Sequence, residues 1–381
     1  MTDGLLACVA ELPLVDHHCH GLVRTELDRT SFEELLTEAD TVSPLGTTLF
    51  DSLIGLAVRR WCAPVLDLPP HAEPDDYLAR RAELGAAEVN RRFVRATGST
   101  DLLVDGGFRP EQLTTADELA ALAGVRTHEI VRLEALAEDV VRAGTSAADF
   151  AVHCASALRG HDRAVGCKSI AAYRVGLRLA GARPTEADVR AAAGRWLCEV
   201  DRSDVVRLAD ETLHRFLVWL AIDLRLPVQF HVGYGDADLD LAQCDPLLLT
   251  DLLRATQHSG IPVLLLHNYP FHRQAGYLAQ VFPHVFVDVG LATHHAGRRG
   301  GSLIAETLEI TPFGKFLYSS DAFGLAEHYH LGAMQFRHGL SDFLSAGITE
   351  NSWTPSDAER IFGLVAFHNA RRVYQLTNTA S

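Results

Sequence analysis

Short apolar runs recur along the chain and are separated by stretches with helical spacing. Most runs are nearly continuous in apolar residues rather than alternating, which is typical of parallel strands covered on both faces. The predicted strands are Leu12–Asp16, Leu102–Gly106, Ile130–Leu136, Ala164–Ile170, Pro227–Val232, Pro262–His267, Val285–Val289 and Lys315–Ser319. Together they indicate an α/β protein with a parallel sheet.

Helical patterns occupy the intervals between the predicted strands. Residues Thr185 to Asp188 match a capping box, and Ser203–Leu224 has apolar residues at three- and four-residue spacing. Another helix start lies at Thr354, near the end of the chain. Helical sequence after each strand predicts a (β/α)8 TIM barrel, with an open doubly wound sheet as the alternative.

The interval between the first two predicted strands is too long for an ordinary crossover. It spans about eighty residues, whereas loops without structure of their own rarely exceed about fifteen. Three helical stretches lie in it, namely Phe32–Ala39, Leu49–Leu66 and Asp75–Thr97. We therefore predict one barrel domain over residues 1–381, with a helical insertion at about 22–98 that covers the barrel as a lid.

Composition and charge exclude several classes of protein. Of the 381 residues, 48% are hydrophobic and 22% charged, so the chain can bury a large core. The net charge of −15 and the lack of a Lys/Arg-rich run argue against nucleic acid as a partner. No apolar stretch approaches the roughly twenty residues of a membrane helix, and no signal peptide is expected. Seven scattered cysteines without a Cys-x-x-Cys pair indicate reduced thiols and a cytoplasmic protein.

The distribution of the nineteen histidines adds candidate chemistry. His18 and His20 end the first predicted strand, and they share one face because side chains alternate along a strand. Two imidazoles on one face can hold a metal ion, while Cys19 points into the apolar core. Asp16 lies on the same face one layer deeper, where we expect it to orient a ligand histidine, and His17 is expected to take no part.

Polar residues also occur at four later predicted strands. They are Lys168, His231, His267 and Asp321. In a barrel the carboxyl ends of the strands converge on one face and form the active site. Each histidine taken alone is more often a hydrogen-bonding residue than a ligand, but one bound metal accounts for the whole set. Nitrogen and oxygen ligands favour Zn²⁺, with Mn²⁺ as the alternative.

Several short motifs share an order and spacing. They are Asp16-x-His18-x-His20, His231-Val232-Gly233, His267-Asn268-Tyr269-Pro270, Ser320-Asp321 and Phe367-His368-Asn369-Ala370-Arg371-Arg372. In this respect the chain resembles the amidohydrolase superfamily, specifically its amidohydrolase 2 family of hydrolases, lactonases and non-oxidative decarboxylases. The segment Lys168–Arg174 is also similar to the amidohydrolase-like half of proteins fused to a glutamine synthetase domain.

The resemblance implies a divalent metal held by His18, His20, His231 and Asp321. It also implies that Asp321 accepts a proton from a water molecule that the metal activates, and that His267 steadies the developing oxyanion. Lys168 has three interpretations: a contact to a substrate carboxylate, a carboxylated lysine that bridges two metals, or a salt-bridged interior residue. We favour one metal and a substrate contact, because the surrounding sequence resembles the mononuclear branch.

Substrate-binding groups are signalled more weakly. Arg109 and Arg174 follow the second and fourth predicted strands, where a guanidinium can clamp a carboxylate or remain a solvated loop residue. Glu134 is placed on the third predicted strand, as a site residue or as an interior partner of Lys168. Four histidines follow the last two strands, where they can line the pocket, although each taken singly is more often an exposed loop residue. They are His294, His295, His328 and His330.

Three functional hypotheses follow. The first is a metal-dependent hydrolase of an amide (C–N) bond in a small carboxylate-bearing substrate, such as a γ-glutamyl amide. The second is a metal-dependent decarboxylase or lyase with the same ligands. The third, a catalytically silent scaffold, is disfavoured because buried polar groups without a function are costly to keep. A small molecule is the expected partner, without nucleic acid or membrane, and a homo-oligomer is left open.

Overall fold

The computed structural model describes Val9, residues 12–41 and residues 43–376. In this part of the chain seven strands form one sheet in sequence order, and the paired registers are parallel. The strands are β1 Leu14–Cys19, β2 Ser99–Asp105, β3 Arg126–Arg132, β4 Ala164–Ser169, β5 Val228–Val232, β6 Val263–His267 and β7 Val285–Val287. The parallel α/β sheet predicted from the apolar runs is confirmed.

Two helices begin where the sequence predicts. Helices as a whole occupy the intervals between the strands. They are α1 Arg29–Glu34, α2 Leu53–Ala57, α3 Pro74–Leu84, α4 Ala86–Ala96, α5 Ala116–Ala123, α6 Leu133–Arg142, α7 Phe150–Gly160, α8 Glu186–Ser203, α9 Glu211–Asp223, α10 Thr250–Thr256, α11 His272–Val281, α12 Ala292–His295, α13 Gly300–Thr307, α14 Ala326–Thr349, α15 Pro355–Gly363 and α16 Asn369–Val373. Thr185 and Thr354 form the capping boxes of α8 and α15. Among the described residues, no helix combines the length and the apolar character that a membrane crossing requires.

The chain divides into two compact units. The first consists of the described residues of Met1–His128, Gly235–Ala237 and Asp288–Ser381, and the second of Glu129–Tyr234 and Asp238–Val287. Strands β1 and β2 belong to the first unit, β4 to β7 belong to the second, and β3 begins in the first and continues in the second. The prediction of one domain over residues 1–381 stays a prediction.

The eighth predicted strand, Lys315–Ser319, is not a regular strand. Lys315 ends a 3-10 helix, and the residues after it are extended without a ladder. This extended segment still bonds to β1, because the His17 amide donates to the Tyr318 carbonyl at 3.2 Å and the Asp321 amide to the His18 carbonyl at 3.0 Å. The left-handed backbone of Asp321, with φ of 51°, interrupts the strand geometry. The apolar run therefore correctly predicted the neighbour of β1 but not its regularity.

The third predicted strand, Ile130–Leu136, is also partly wrong. β3 ends at Arg132, and the next residue begins helix α6. A short apolar run does not distinguish a buried strand from a buried helix. Glu134 therefore lies in the first turn of α6 rather than on a strand.

The segment between β1 and β2 is helical and supplies much of the first unit's core. Large side chains from this segment pack against Cys19 of β1 in one buried cluster; they include Phe32, Phe50, Tyr77 and Phe93. The helical content predicted for this interval is present. Its description as an insertion that covers the barrel stays a prediction.

A buried ion pair links two helices of the first unit. Arg81 of α3 donates to Glu327 of α14 at 2.6 and 3.1 Å, and the Tyr77 hydroxyl donates to the same carboxylate at 2.7 Å. Arg81 is 5% exposed and Glu327 is fully buried. Burial raises the pKa of Glu327, but the charge and hydrogen bonds of Arg81 outweigh it and hold that pKa below its ordinary value.

Replacing Arg81 tests the contribution of this pair. Arg81→Met leaves the Glu327 carboxylate buried without its cation, and we expect a loss of about 3–5 kcal/mol in the free energy of unfolding. The matched control is Arg80→Met, because the neighbouring Arg80 forms its ion pairs at the surface of the same helix. Urea denaturation measures both variants. A loss for Arg81→Met no larger than that for Arg80→Met contradicts the prediction.

Candidate functional site

Three predicted ligands converge in the first unit. The Oδ1 atom of Asp321 lies 3.2 Å from Nε2 of His18 and 3.5 Å from Nε2 of His20. The two imidazole rings are edge to face, with centroids 5.0 Å apart. All three residues are buried, and among the described residues they form the one group of three whose ligand atoms lie within 4.8 Å of one another. The prediction that His18 and His20 share a face is confirmed.

A hydrogen bond outside the ligand group fixes the orientation of the His20 ring. Nδ1 of His20 lies 2.9 Å from the Asp105 carbonyl, so this nitrogen carries the proton and Nε2 keeps its lone pair for a ligand. The Tyr329 hydroxyl donates to the His20 carbonyl. Cys19 faces the opposite side, where its thiol donates to the Leu103 carbonyl and burial raises its pKa. It is an inert core thiol, as predicted.

Asp16 has a different role from the one predicted. Its carboxylate accepts hydrogen bonds from the Ser320 amide at 2.9 Å and from the Ser320 hydroxyl at 2.5 Å. It therefore positions the residue before Asp321, not the ring of a ligand histidine. Burial raises the pKa of Asp16 to about 7 although the hydrogen bonds of Ser320 oppose that shift.

His17 is not simply a bystander. Its ring nitrogens lie 2.9 Å from the Asp288 carboxylate and 3.0 Å from the Tyr374 hydroxyl, and the ring is fully buried. The sequence offered no signal for either partner, because both lie more than 270 residues away. His17 thus anchors β1 to the end of the chain within the first unit.

The remaining predicted histidines are neighbours in the second unit. His231 on β5 and His267 on β6 have ring centroids 4.7 Å apart, and the Tyr173 ring lies 4.6 Å from that of His231. His267 and the following Asn268 both adopt positive φ, at 69° and 60°. Such backbone conformations are costly outside glycine and concentrate at functional sites.

Lys168 is buried on β4 of the second unit and is 2% exposed. It is one of two lysines in a chain with 34 Lys and Arg residues, the other being Lys315. The adjacent Ser169 is held by Glu134, whose carboxylate accepts from the Ser169 hydroxyl at 2.7 Å and the Ile170 amide at 3.0 Å. Glu134 thus fixes the backbone at the end of β4.

The two predicted substrate-binding arginines differ in their surroundings. Arg174 is mostly buried and forms an ion pair with Glu138 at 3.0 Å. Arg109 is exposed and lies over the Phe108 ring, which in turn lies 5.5 Å from the ring of His20. Arg109 therefore lies near the candidate ligands of the first unit, while Arg174 already has a carboxylate partner. Their role as carboxylate clamps stays a prediction.

A cluster that the sequence did not bring together lies in the first unit and consists of Glu38, His294, His295 and His328. The ring centroids of His294 and His328 are 4.8 Å apart, and both side chains are fully buried. The expectation that these two histidines are exposed loop residues is wrong, and so it is for His330, which is 6% exposed. The sequence gives no sign that Glu38 belongs to a site, because it lies within an ordinary helical pattern.

Comparison with known proteins agrees with this structure. A structure from Lactobacillus casei ATCC 334, proposed to be a metal-dependent hydrolase, matches over 97% of both chains with 31% identity and a TM-score of 0.85. The uronate isomerase of Bacillus halodurans C-125 matches over 99% of this chain and 96% of its own, at 14% identity and a TM-score of 0.68, and this likeness concerns the fold alone. The fold class is an α/β TIM barrel, as predicted.

Sequence relatives lead to the same family. Protein fluG of Emericella nidulans is 27% identical over 405 residues, which cover 96% of this chain but only 46% of that protein, so the chain spans less than half of this relative. A family model described as amidohydrolase matches residues 66–376. That match begins after His18 and His20, so the histidine pair of β1 is evidence independent of it. The chain belongs to the amidohydrolase family.

Proposed function

We propose that the chain is a metal-dependent hydrolase that cleaves an amide (C–N) bond of a small carboxylate-bearing substrate, with γ-glutamyl amides as the specific candidates. The observation that carries the proposal is the convergence of two imidazoles and one carboxylate on a single buried point, at 3.2 and 3.5 Å. Membership of the amidohydrolase family and the likeness to the protein from Lactobacillus casei support it.

The donor set suits a divalent metal ion. Nε2 of His18, Nε2 of His20 and Oδ1 of Asp321 are neutral nitrogen and anionic oxygen donors, the combination that Zn²⁺ takes in catalytic sites. Mn²⁺ accepts the same donors, so we propose Zn²⁺ first and Mn²⁺ as the alternative. A bound ion supplies a Lewis acid that lowers the pKa of water and polarises a carbonyl group.

Asp321 is the residue that we propose to move protons. Its carboxylate borders both histidines, so one oxygen can take the proton of an attacking water molecule and return it to the leaving nitrogen. The Asp321 amide is tied to the His18 carbonyl, and Asp16 fixes the preceding residue. These bonds hold the carboxylate in place during the transfer, which a general base requires.

The other proposed residues lie in the second unit, except Arg109, which lies in the first. His231 remains the predicted fourth ligand, and His267 remains the predicted group that steadies the oxyanion. Lys168 is proposed to contact a substrate carboxylate at a site with one metal ion, and Arg109 and Arg174 are proposed as further carboxylate contacts.

The six cysteines among the described residues are free thiols, which supports the proposed cytoplasmic location.

Metal content tests the ligand assignment directly. We expect about one Zn²⁺ or Mn²⁺ per chain in the purified protein, and we expect a chelator to abolish amide hydrolysis until metal is restored. His18→Ala should lower the metal content severalfold because a ligand is lost. His17→Ala, one position away in β1, should keep its metal while losing stability, because the buried Asp288 carboxylate loses one of its hydrogen bonds. Elemental analysis decides, and full activity of the metal-free protein contradicts the proposal.

The class of reaction is tested with labelled water. We expect γ-glutamyl amides, in a panel with N-acyl amino acids and aromatic acids, to yield a carboxylic acid that contains ¹⁸O from the solvent. Asp321→Asn should lower kcat by about 10²- to 10⁴-fold at saturating metal, because it removes the proton acceptor. Asp357→Asn, at the exposed cap of α15, serves as the control. Release of carbon dioxide without ¹⁸O incorporation favours the decarboxylase instead.

The role of Lys168 is tested with the only other lysine as its control. Lys168→Met should raise KM for carboxylate-bearing substrates about tenfold or more and change kcat little, because binding is lost while the metal centre remains. Lys315→Met should change neither constant. If Lys168→Met instead lowers the metal content from two ions per chain, the bridging carbamate replaces the proposed substrate contact.

A further inference from the structure

Glu38, His294, His295 and His328, here called the neutral histidine cluster, are a second polar group in the first unit. His294 and His295 lie on α12, His328 lies in the first turn of α14, and Glu38 follows α1. The rings of His294 and His328 are stacked at 16°, and the His295 ring lies 4.8 Å from that of His294. Nε2 of His295 lies 3.6 Å from Oε1 of Glu38.

Three members of the cluster, His294, His328 and Glu38, have buried polar atoms without a hydrogen bond among the described residues. Among the described residues, neither ring nitrogen of His294 or His328 has a hydrogen-bond partner, although both rings are fully buried. The Phe323 backbone favours the protonated form of His328, although the geometry between them lies outside that of a normal hydrogen bond. Oε1 of Glu38 is likewise buried without a hydrogen bond. Buried polar atoms are normally paired, so these atoms indicate a ligand.

The cluster lies beside the candidate metal centre. A continuous row of aromatic rings connects the two, since the rings of His20 and Phe108 are 5.5 Å apart, those of Phe108 and Phe323 are 5.6 Å apart, and those of Phe323 and His328 are 6.0 Å apart. The negative charge of Asp321 also acts on all four members of the cluster. The cluster and the candidate metal centre are therefore joined through packed aromatic side chains of the first unit.

The cluster is uncharged near neutral pH. Burial lowers the pKa of His295 to about 3 and that of His328 to about 4, and it lowers the pKa of His294 well below its ordinary value. Burial and the charge of Asp321 raise the pKa of Glu38 to about 8. A neutral imidazole offers one donor and one acceptor, and a protonated carboxyl offers a donor.

The geometry disfavours a second metal site. Nearly parallel stacked rings do not direct their lone pairs at one point, as a tetrahedral ion requires. In the part of the chain that the structure describes, only His18, His20 and Asp321 meet the distances of a ligand group.

Leu291, directly before α12, has a φ of 52°, and such strain in a bulky residue is typical of a segment held in place for binding.

We propose that the neutral histidine cluster is a substrate subsite that takes an uncharged group able both to donate and to accept hydrogen bonds, a hydroxyl or a carboxamide. The inference rests on the proposed function, because it places the reacting end of the substrate at the metal centre. It assigns the other end of the same molecule to Glu38, His294, His295 and His328. Methyl, carboxylate and ammonium ends leave donors or acceptors unpaired or bring a charge into an uncharged interior.

A matched series of five-carbon acids tests this subsite by direct binding. The probes share one carboxylate and differ at the other end: 5-hydroxypentanoate, glutaramate, pentanoate, glutarate and 5-aminopentanoate. We expect calorimetry with the metal-loaded protein to show the hydroxyl and carboxamide ends binding about tenfold or more tighter than the other three, since each polar group left buried and unpaired loses its hydration without compensation.

Variants connect this preference to the cluster. His294→Leu and His328→Leu should reduce the preference to threefold or less while leaving the metal content unchanged. His328→Gln, which keeps a donor and an acceptor, should retain part of it. His330→Leu is the matched control, because His330 is buried on the same helix but lies against the Trp61 carbonyl and the Phe93 ring. Near-ultraviolet circular dichroism verifies that each variant is folded.

Several outcomes overturn the proposal. They are tightest binding by a charged or methyl end, an unchanged preference in both leucine variants, no detectable binding of any probe, and loss of a second metal ion in His294→Leu. Failure of the proposed function has a different signature. A protein that hydrolyses no amide but retains the hydroxyl and carboxamide preference keeps the subsite and loses only the assigned reaction.

Discussion

The main-chain hydrogen bonds between β1 and the extended segment that carries Asp321 hold the candidate metal centre together. The amides of His17, His20 and Asp321 each form a hydrogen bond between β1 and this segment, at 2.8 to 3.2 Å. Because strand side chains alternate between faces, a slip of one residue in this pairing turns His18 and His20 away from Asp321. The buried carboxylate of Asp16 also holds Ser320 in place by accepting hydrogen bonds from its amide and its hydroxyl. The ligand geometry is therefore set by backbone register.

Backbone strain appears where the chain turns candidate site residues away from regular strand geometry. Asp321 has a φ of 51°, and His267 and Asn268 in the second unit have φ of 69° and 60°. These conformations cost about 1–3 kcal/mol each outside glycine and persist only where the surroundings enforce them. At Asp321 the enforcement is visible in the bond of its amide to the His18 carbonyl and in the bonds of the preceding Ser320 to Asp16.

Local patterns predicted the elements well because burial on both faces leaves an apolar run in the sequence. The seven observed strands each overlap a predicted one. The helix caps at Thr185 and Thr354 were predicted from the spacing of hydroxyl and carboxylate residues alone. Contacts across 304 residues, such as Asp16 with Ser320, leave no periodic signal. The partner of Asp16 was therefore predicted wrongly. The β3 boundary failed for the opposite reason, since one apolar run served both a strand and helix α6.

The site histidines show the same division between pattern and packing. Alternation along one strand sufficed to place His18 and His20 on one face. The burial of His294 and His328 depends on how α12 and α14 pack in the first unit, so position after a strand suggested exposed loops instead. Chemistry within one element is thus predictable from sequence, whereas chemistry assembled from several helices becomes visible only in the folded chain.

Two adjacent residues of α14, Glu327 and His328, show two ways in which a buried polar side chain is accommodated in the first unit. Glu327 keeps its charge because Arg81 and Tyr77 surround it with donors. His328, the next residue, has no such partner and stays neutral, because protonation would bury an uncompensated cation. The two solutions have different consequences. The paired carboxylate is satisfied within the protein and serves stability, whereas the neutral imidazole retains a donor and an acceptor that a ligand can use without bringing a counter-charge into the interior.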